Sequence, residues 1–435
     1  MDRIEIGLVG IAAALILIAM RMQVGVVLGI VAFLGIGALT SMDAAWGILT
    51  AIPQKFIAQW SLSAVPMFLL MGYIAAQTGL TKGLFASARI FLGRVPGGLA
   101  SATVVASALF ASASGSSVAT SAAFSRIAVP EMLASNYRPS LATGAVAASG
   151  TLGSLIPPSV LMILFGIFTE TSIGALFVGG VVPGLLSALI YIGMITIRAR
   201  LDPTLAPVHE HGHSREDIWA AVRDIWPLPA LILGVLGGMF AGIFSPTEAG
   251  AIGAGLAVLI ALFRGSLTRA SIREALIETA EGTCTVFIIA IGATMFSVFM
   301  GLTSVPMALA DRMLGAVDSP IAVIGMIAVL FVVLGMFIEG ISLMLLTIPI
   351  IQPVLQGMGV DMVWFGIIMI KLLEIGLITP PVGMNVYVIR SALGSSVSLS
   401  EIFRGAFWFI GMDVLTLVLL IAFPAITLFL PSVML

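Results

Sequence analysis

The sequence predicts an all-α polytopic membrane protein made of two inverted-topology repeats, each with one re-entrant helical hairpin and one broken helix. Three observations predict it. The first is composition. Of 435 residues, 60% are hydrophobic and 9% charged, and the mean hydropathy is +1.19, whereas water-soluble chains carry roughly 25% charged residues. The second is an internal repeat: Pro353 lies 223 residues after Pro130, and Pro380-Pro381 lie 223 after Pro157-Pro158. The third is a pair of interruptions, "GSLIPPS" (Gly153 to Ser159) and "GLITPPVG" (Gly376 to Gly383), each a diproline set in otherwise apolar helix.

Composition also excludes classes. A net charge of −2 implies no nucleic-acid partner. Cys284 is the only cysteine and lies in an apolar run, so neither a disulfide framework nor a zinc motif is expected. The first apolar run, Ile6 to Met20, is followed by Arg21 and no Ala-x-Ala site, which marks a retained helix rather than a cleaved signal peptide.

The elements follow in order. Residues 1–197 form the first repeat, with spans near 4–20, 23–40, 61–79, 138–168 and 172–197. The stretch 41–60 is amphipathic and is placed at the interface, as is 80–95 with Lys82, Arg89 and Arg94. Residues 96–136 are apolar at both ends and small and polar in the middle ("FASASGSSVATSAAFS"), the pattern of a hairpin that enters and leaves on one side. The broken helix is 138–168. Residues 198–226 form a polar linker; its "HEHGH" tract (His209 to His213) reads as solvated linker, not a metal site. Residues 227–435 form the second repeat, with its hairpin at 319–358 and its broken helix at 362–389. Five crossings per repeat, an odd number, invert the second against the first. Charge agrees. With the N-terminus outside, the cytoplasmic turns receive Arg21, Lys82, Arg89, Arg94, Arg138, Arg198, Arg200, Arg215, Arg223, Arg264, Arg269, Arg273, Arg390 and Arg404, and the outside only Arg3, Lys55 and Arg312.

A helix that stops inside a bilayer exposes unpaired N–H and C=O groups, tolerated only where protein or a wet cavity surrounds them. Pro157 and Pro158 lack an N–H and free carbonyls before them. Those carbonyls, with the hydroxyls of Thr151 and Ser154, suit a small cation, while half-helix N-termini favour an anion. The hairpin tips supply the opposite wall: "SASGSS" (Ser112 to Ser117) and its repeat partner "FIEGIS" (Phe337 to Ser342), where Glu339 is an acid in an apolar run. Paired discontinuous helices at matching points of two repeats indicate a transport site near the midplane. The expected ion-binding residues are Ser114, Gly115, Ser116, Gly150, Thr151, Gly153, Glu339, Gly340, Gly376 and Thr379. The expected substrate-lining residues are Ser117, Ser154, Pro157, Ser342, Pro380 and Asn385. Neither a catalytic set nor a transition metal is expected: an embedded enzyme needs an acid pair, a histidine cluster or a nucleophile with its base at one depth, and all three histidines lie in the linker.

Simpler readings stand beside these. "ASGSSVATSAA" can serve as a small-residue packing face. Lys371 and Glu374, spaced i, i+3, read as a neutralising pair. Arg126 reads as a snorkelling side chain. "SPTEAGAIGA" reads either as a turn in which Glu248 helps cap a helix or as a functional segment.

Together "VPGGLASATVVASALFASASGSSVAT", "GSLIPPS", "SPTEAGAIGA", "GMFIEGISLMLLTIP" and "EIGLITPPVGMN" resemble the large membrane subunit of tripartite ATP-independent periplasmic (TRAP) transporters, from about Ile4 to Phe429. The resemblance implies an elevator-type architecture. It implies sodium as the coupling ion at two or more sites, with no other cofactor, and import of an organic acid into the bacterial cell through the inner membrane. It also implies two partners, a small four-helix membrane subunit and a periplasmic substrate-binding protein; the charge distribution above is what places both termini in the periplasm and the linker in the cytoplasm. The start of the chain at the first helix implies a separate small subunit. A stand-alone ion-coupled carboxylate carrier of the same architecture is the alternative.

Overall fold

A computed structural model describes residues 2–434 apart from 82, 94, 208–214 and 317–318. Lys82, Arg94 and the "HEHGH" tract therefore lie outside the described residues. These fold into twenty-one α-helices, and among them there is no strand.

The first half runs α1 Arg3–Ala19, α2 Val24–Leu39, α3 Met42–Ile57, α4 Ala64–Gln77, α5 Leu84–Leu92, α6 Gly98–Ser114, α7 Ser117–Ala134, α8 Pro139–Thr151, α9 Val160–Thr169 and α10 Ile173–Leu201. A short α11, Arg215–Ile225, follows. The second half runs α12 Pro227–Phe240, α13 Pro246–Phe263, α14 Arg269–Thr303, α15 Val305–Ala316, α16 Pro320–Gly335, α17 Gly340–Gly357, α18 Met362–Ile378, α19 Met384–Leu393, α20 Leu399–Ala422 and α21 Ala425–Met434. A shift of 223 residues carries the starts of α6, α7, α8 and α9 onto those of α16, α17, α18 and α19 to within one residue. The halves differ at α14, a single helix of 35 residues where the first half has α3, a turn of 3₁₀ helix and α4.

Local chemistry sets the boundaries. Ser41, Ser172 and Ser398 cap α3, α10 and α20 by accepting a backbone N–H three residues on. Ser245 and Glu248 form a reciprocal capping box at α13, so "SPTEAG" is an N-capped turn. Among the described residues, six segments are long and apolar enough to cross a bilayer: Trp60–Gln77, α10, α13, α14, α17 and α20. The outer helices show lipid-compatible side chains, such as Leu189 on α10, Leu233 on α12 and Val329 on α16.

The two helices that lead into the diprolines lie at the centre. Every residue of α8 from Leu141 to Thr151 is buried, and every residue of α18 from Trp364 to Ile378. A helix buried all round has no lipid-facing side. They reach that position differently. α8 is almost entirely Ala, Gly, Ser and Thr, so α6, α7 and α20 can pack close to its backbone. α18 fills its surroundings with Ile, Leu, Phe and Met. At the breaks both halves make the same contact. A Cβ on Gly153 would overlap the Cβ of Ala111 on α6 and lie 2.7 Å from its carbonyl carbon; one on Gly376 would lie 2.7 Å from the Cα and carbonyl carbon of Gly335 on α16. Each hairpin's first helix thus rests on bare backbone of its broken helix.

Candidate functional site

The first break runs from Thr151 through a turn of 3₁₀ helix, Leu152–Ser154, and the diproline to Val160. The second runs from Ile378 through the diproline to Met384. In both, the proline–proline bond is cis.

The hairpin tips are built to match. In the first, Gly115 takes the left-handed conformation that ends α6, with φ of +64°. Ser116 then caps α7, its hydroxyl accepting from the Ala119 N–H at 3.2 Å. In the second, Glu339 occupies the corresponding cap of α17 and accepts from the N–H of Ser342 at 3.1 Å and its hydroxyl at 3.2 Å. Glu339 and Ser116 are 223 residues apart. A serine and a glutamate hold one structural role, and only the glutamate brings charge.

The tips and breaks converge on Glu374. The Ser117 hydroxyl, at the start of α7, lies 2.9 and 2.8 Å from the two carboxylate oxygens. Ser154, in the 3₁₀ turn after α8, donates to Oε1 of the same group. The two serine oxygens are 3.2 Å apart. Glu374 itself is 2% exposed. One hairpin and both broken helices are therefore tied at one carboxylate.

Glu374 faces a cavity of about 240 Å³. The first tip supplies Gly115, Ser116, Ser117 and Val118, the second Glu339, Gly340 and Ile341, and the breaks Ser154, Val160, Leu161, Glu374 and Leu377. The far wall comes from Leu69 and Tyr73 on α4 and Gly282, Thr285 and Val286 on α14. Among the described residues two carboxylates line this space, and no Lys, Arg or His does.

Six of the expected residues thus meet around one cavity: Gly115, Ser116, Ser117, Ser154, Glu339 and Gly340. The others do not line it. The hydroxyls of Thr151 and Thr379 donate to carbonyls of their own helices, Ala148 and Ile375, at 2.6 Å. Ser114 contacts Thr120 at 3.2 Å. Gly150 backs onto α7 at the Ser117 carbonyl, and Gly153 and Gly376 make the packing contacts above. Ser342 is engaged by Glu339. Pro157 is buried and Pro380 half-buried in their turns. The Asn385 amide donates to the Ala147 carbonyl at 3.4 Å, away from the cavity. Arg126 is exposed on α7.

The structure corrects the expected Lys371–Glu374 pair. Lys371 forms its ion pair with Asp413 of α20, and both side chains are 1% exposed. The Tyr191 hydroxyl of α10 also donates to Asp413. A spacing of three along a helix brings two side chains within reach but does not oblige them to pair. α18 has neighbours all round, so each charge finds its partner on a different element. Spacing alone undervalues Glu374 for this reason. A signal is present, because Glu374 stands five residues before Thr379, at the mouth of the second break. Tyr73 and Thr285 escape sequence reasoning altogether; they sit in unbroken helix, where nothing local marks them.

One buried acid, Glu374, and one exposed acid, Glu339, at a cavity within a bilayer-length bundle define a class, a membrane permease. Comparison with known proteins supplies the family. The chain belongs to the tripartite ATP-independent periplasmic transporter family, DctM component, whose profile matches residues 11–426. It is 36% identical over 374 residues to the C4-dicarboxylate TRAP transporter large permease protein DctM of Pseudomonas aeruginosa, covering 86% of each chain. It is 34% identical over 386 residues to the sialic acid TRAP transporter large permease protein SiaM of Vibrio cholerae, covering 87% of this chain and 88% of that one. Among solved structures it is similar in fold to the Alcanivorax borkumensis YdaH transporter, with a TM-score of 0.63 at 16% identity over 89% of this chain and 90% of that one. The protein is a multi-pass transporter permease and not an enzyme.

Proposed function

We propose that this chain is the large permease subunit of a sodium-driven uptake system that imports an organic carboxylate handed over by a periplasmic binding protein. One observation carries the reading: among its described lining residues, the cavity between the tips holds Glu339 and Glu374 and no basic side chain. An organic anion entering such a space is repelled by both acids. Bound cations remove that repulsion, so anion entry requires cation entry. The hard oxygens of Ser116, Ser117, Ser154, Glu339 and Glu374 suit sodium. The substrate class follows the relatives, whose names specify C4-dicarboxylates and sialic acid.

The two halves are inverted repeats in this reading, which the 223-residue correspondence of α6–α9 with α16–α19 supports. Hairpins and broken helices move together against α4 and α14, as an elevator, in the inner membrane, with both termini periplasmic and the 198–226 linker cytoplasmic. The remaining ion positions expected from the sequence, Ser114, Gly150, Thr151, Gly153, Gly376 and Thr379, contribute from the shell around the cavity. A small four-helix membrane subunit is the second partner. Some relatives are larger: the chain spans 70% of the sialic acid TRAP transporter permease protein SiaT of Haemophilus influenzae and 58% of the isethionate TRAP transporter permease protein DctMQ of Oleidesulfovibrio alaskensis.

Reconstitution tests this. Proteoliposomes carrying the chain and its small subunit, with the binding protein outside, take up substrate under an inward sodium gradient and not when potassium replaces sodium. Uptake by the chain alone, without binding protein, identifies a stand-alone carrier instead.

A further inference from the structure

A second cavity, of about 200 Å³, opens where α8 and α20 begin and α10 ends. Arg138, Arg198 and Arg404 line it, with Glu401 and Trp408. The Arg198 guanidinium lies 4.0 Å from the centre of the Trp408 ring, a cation–π contact that fixes it in place. Asp202 pairs with Arg138 at 3.3 Å. The Thr204 hydroxyl first, and then Arg138 and Arg198, hold the Asp202 carboxyl below its usual range, so it stays charged. Among the described residues Arg404 has no ion-pair or hydrogen-bond partner. Three guanidiniums against Glu401 and Asp202 leave one uncompensated positive charge.

The place matters as much as the charge. α10 and α20 are both long and apolar enough to span a bilayer, and the cavity sits at their matching ends, which is bilayer-surface depth. Trp408 is 51% exposed there, beside Phe407 at 59% on α20 and Leu201 at 81% on α10. A half-exposed tryptophan beside arginines at a helix end is the composition of a membrane interface, and basic pockets between spanning helices hold lipid headgroups. We infer that this cavity binds the phosphodiester headgroup of an acidic phospholipid, with Arg404 and Arg198 on the phosphate and the acyl chains against Phe407 and Trp408. A phosphodiester carries one negative charge, which matches the one left unpaired. The site is separate from the transport cavity and does not depend on how that cavity works.

Native mass spectrometry of the full chain tests it. The purified protein is titrated in detergent with phosphatidylglycerol, with phosphatidylcholine, and with glycerophosphoglycerol, the same headgroup without acyl chains. One phosphatidylglycerol is expected to be retained in preference to phosphatidylcholine. R404Q is expected to weaken retention at least about fivefold, R404K less, and R269Q, at an exposed arginine elsewhere, not at all. Arg404 has no partner to lose among the described residues, so R404Q should melt with the wild type, and R198Q provides a second reading. Equal retention by wild type, R404Q and R198Q overturns the proposal. So does displacement of the lipid by glycerophosphoglycerol at equal concentration, which would mark a site for a soluble anion.

Discussion

Glu374 and Asp413 are two buried acids with opposite surroundings. Asp413 has a full counter-charge in Lys371; Glu374 has only hydroxyl donors and a cavity. A paired acid fixes structure, and an acid satisfied by hydroxyls at a cavity wall is free to exchange them for a cation. Two outcomes follow. Glu374→Gln keeps the shape and removes the charge. With charge-assisted contacts worth about 1.5–3 kcal/mol, the sodium concentration for half-maximal uptake should rise roughly ten- to hundredfold, with the melting temperature little changed. Lys371→Met leaves the Asp413 charge buried without its partner. It should destabilise by about 3–5 kcal/mol, read as a drop in thermal melting, and a second change, Asp413→Leu, should recover much of the loss. If the two single variants behave alike, the division of roles between these acids is wrong.

At the scale of elements, the breaks matter because backbone is set on backbone beside them. Gly153→Ala and Gly376→Ala each push a methyl into a hairpin's first helix, an overpacking cost of about 1–3 kcal/mol. Both should lower thermal stability and slow uptake. Gly325, on α16, is the control: a methyl group placed there would meet nothing within 4 Å, and Gly325→Ala should be neutral in both assays. These elements are legible in the sequence to different degrees. The hairpins and breaks can be placed because small polar residues and diprolines contradict an apolar run, and contradiction is a local signal. The fusion of two helices into α14 cannot be read from the repeat, because the second half lacks the turn that separates α3 from α4. The polar knot is half legible. Ser117 and Ser154 stand out from their neighbours, but the acid that joins them reads as a partner of Lys371, since spacing along a helix does not reveal which of several surrounding helices a side chain meets.

At the scale of the molecule, one half's tip carries a serine where the other carries a glutamate, and both close on a space whose described lining contains acids and no bases. In the proposed motion, α4 and α14 stay in place while the hairpins and breaks slide past them. The central claim is that cations occupy this space during transport, and thiol labelling reads occupancy directly. Cys284, exposed and the only cysteine, is replaced by serine, and Val118, which lines the cavity without contributing a polar side-chain atom, becomes the reporter through Val118→Cys. The account predicts that sodium slows maleimide labelling of this position in a saturable way, that potassium does not, and that Glu374→Gln shifts the sodium dependence upward. Labelling at the same rate in sodium and potassium across the range that drives uptake would contradict it.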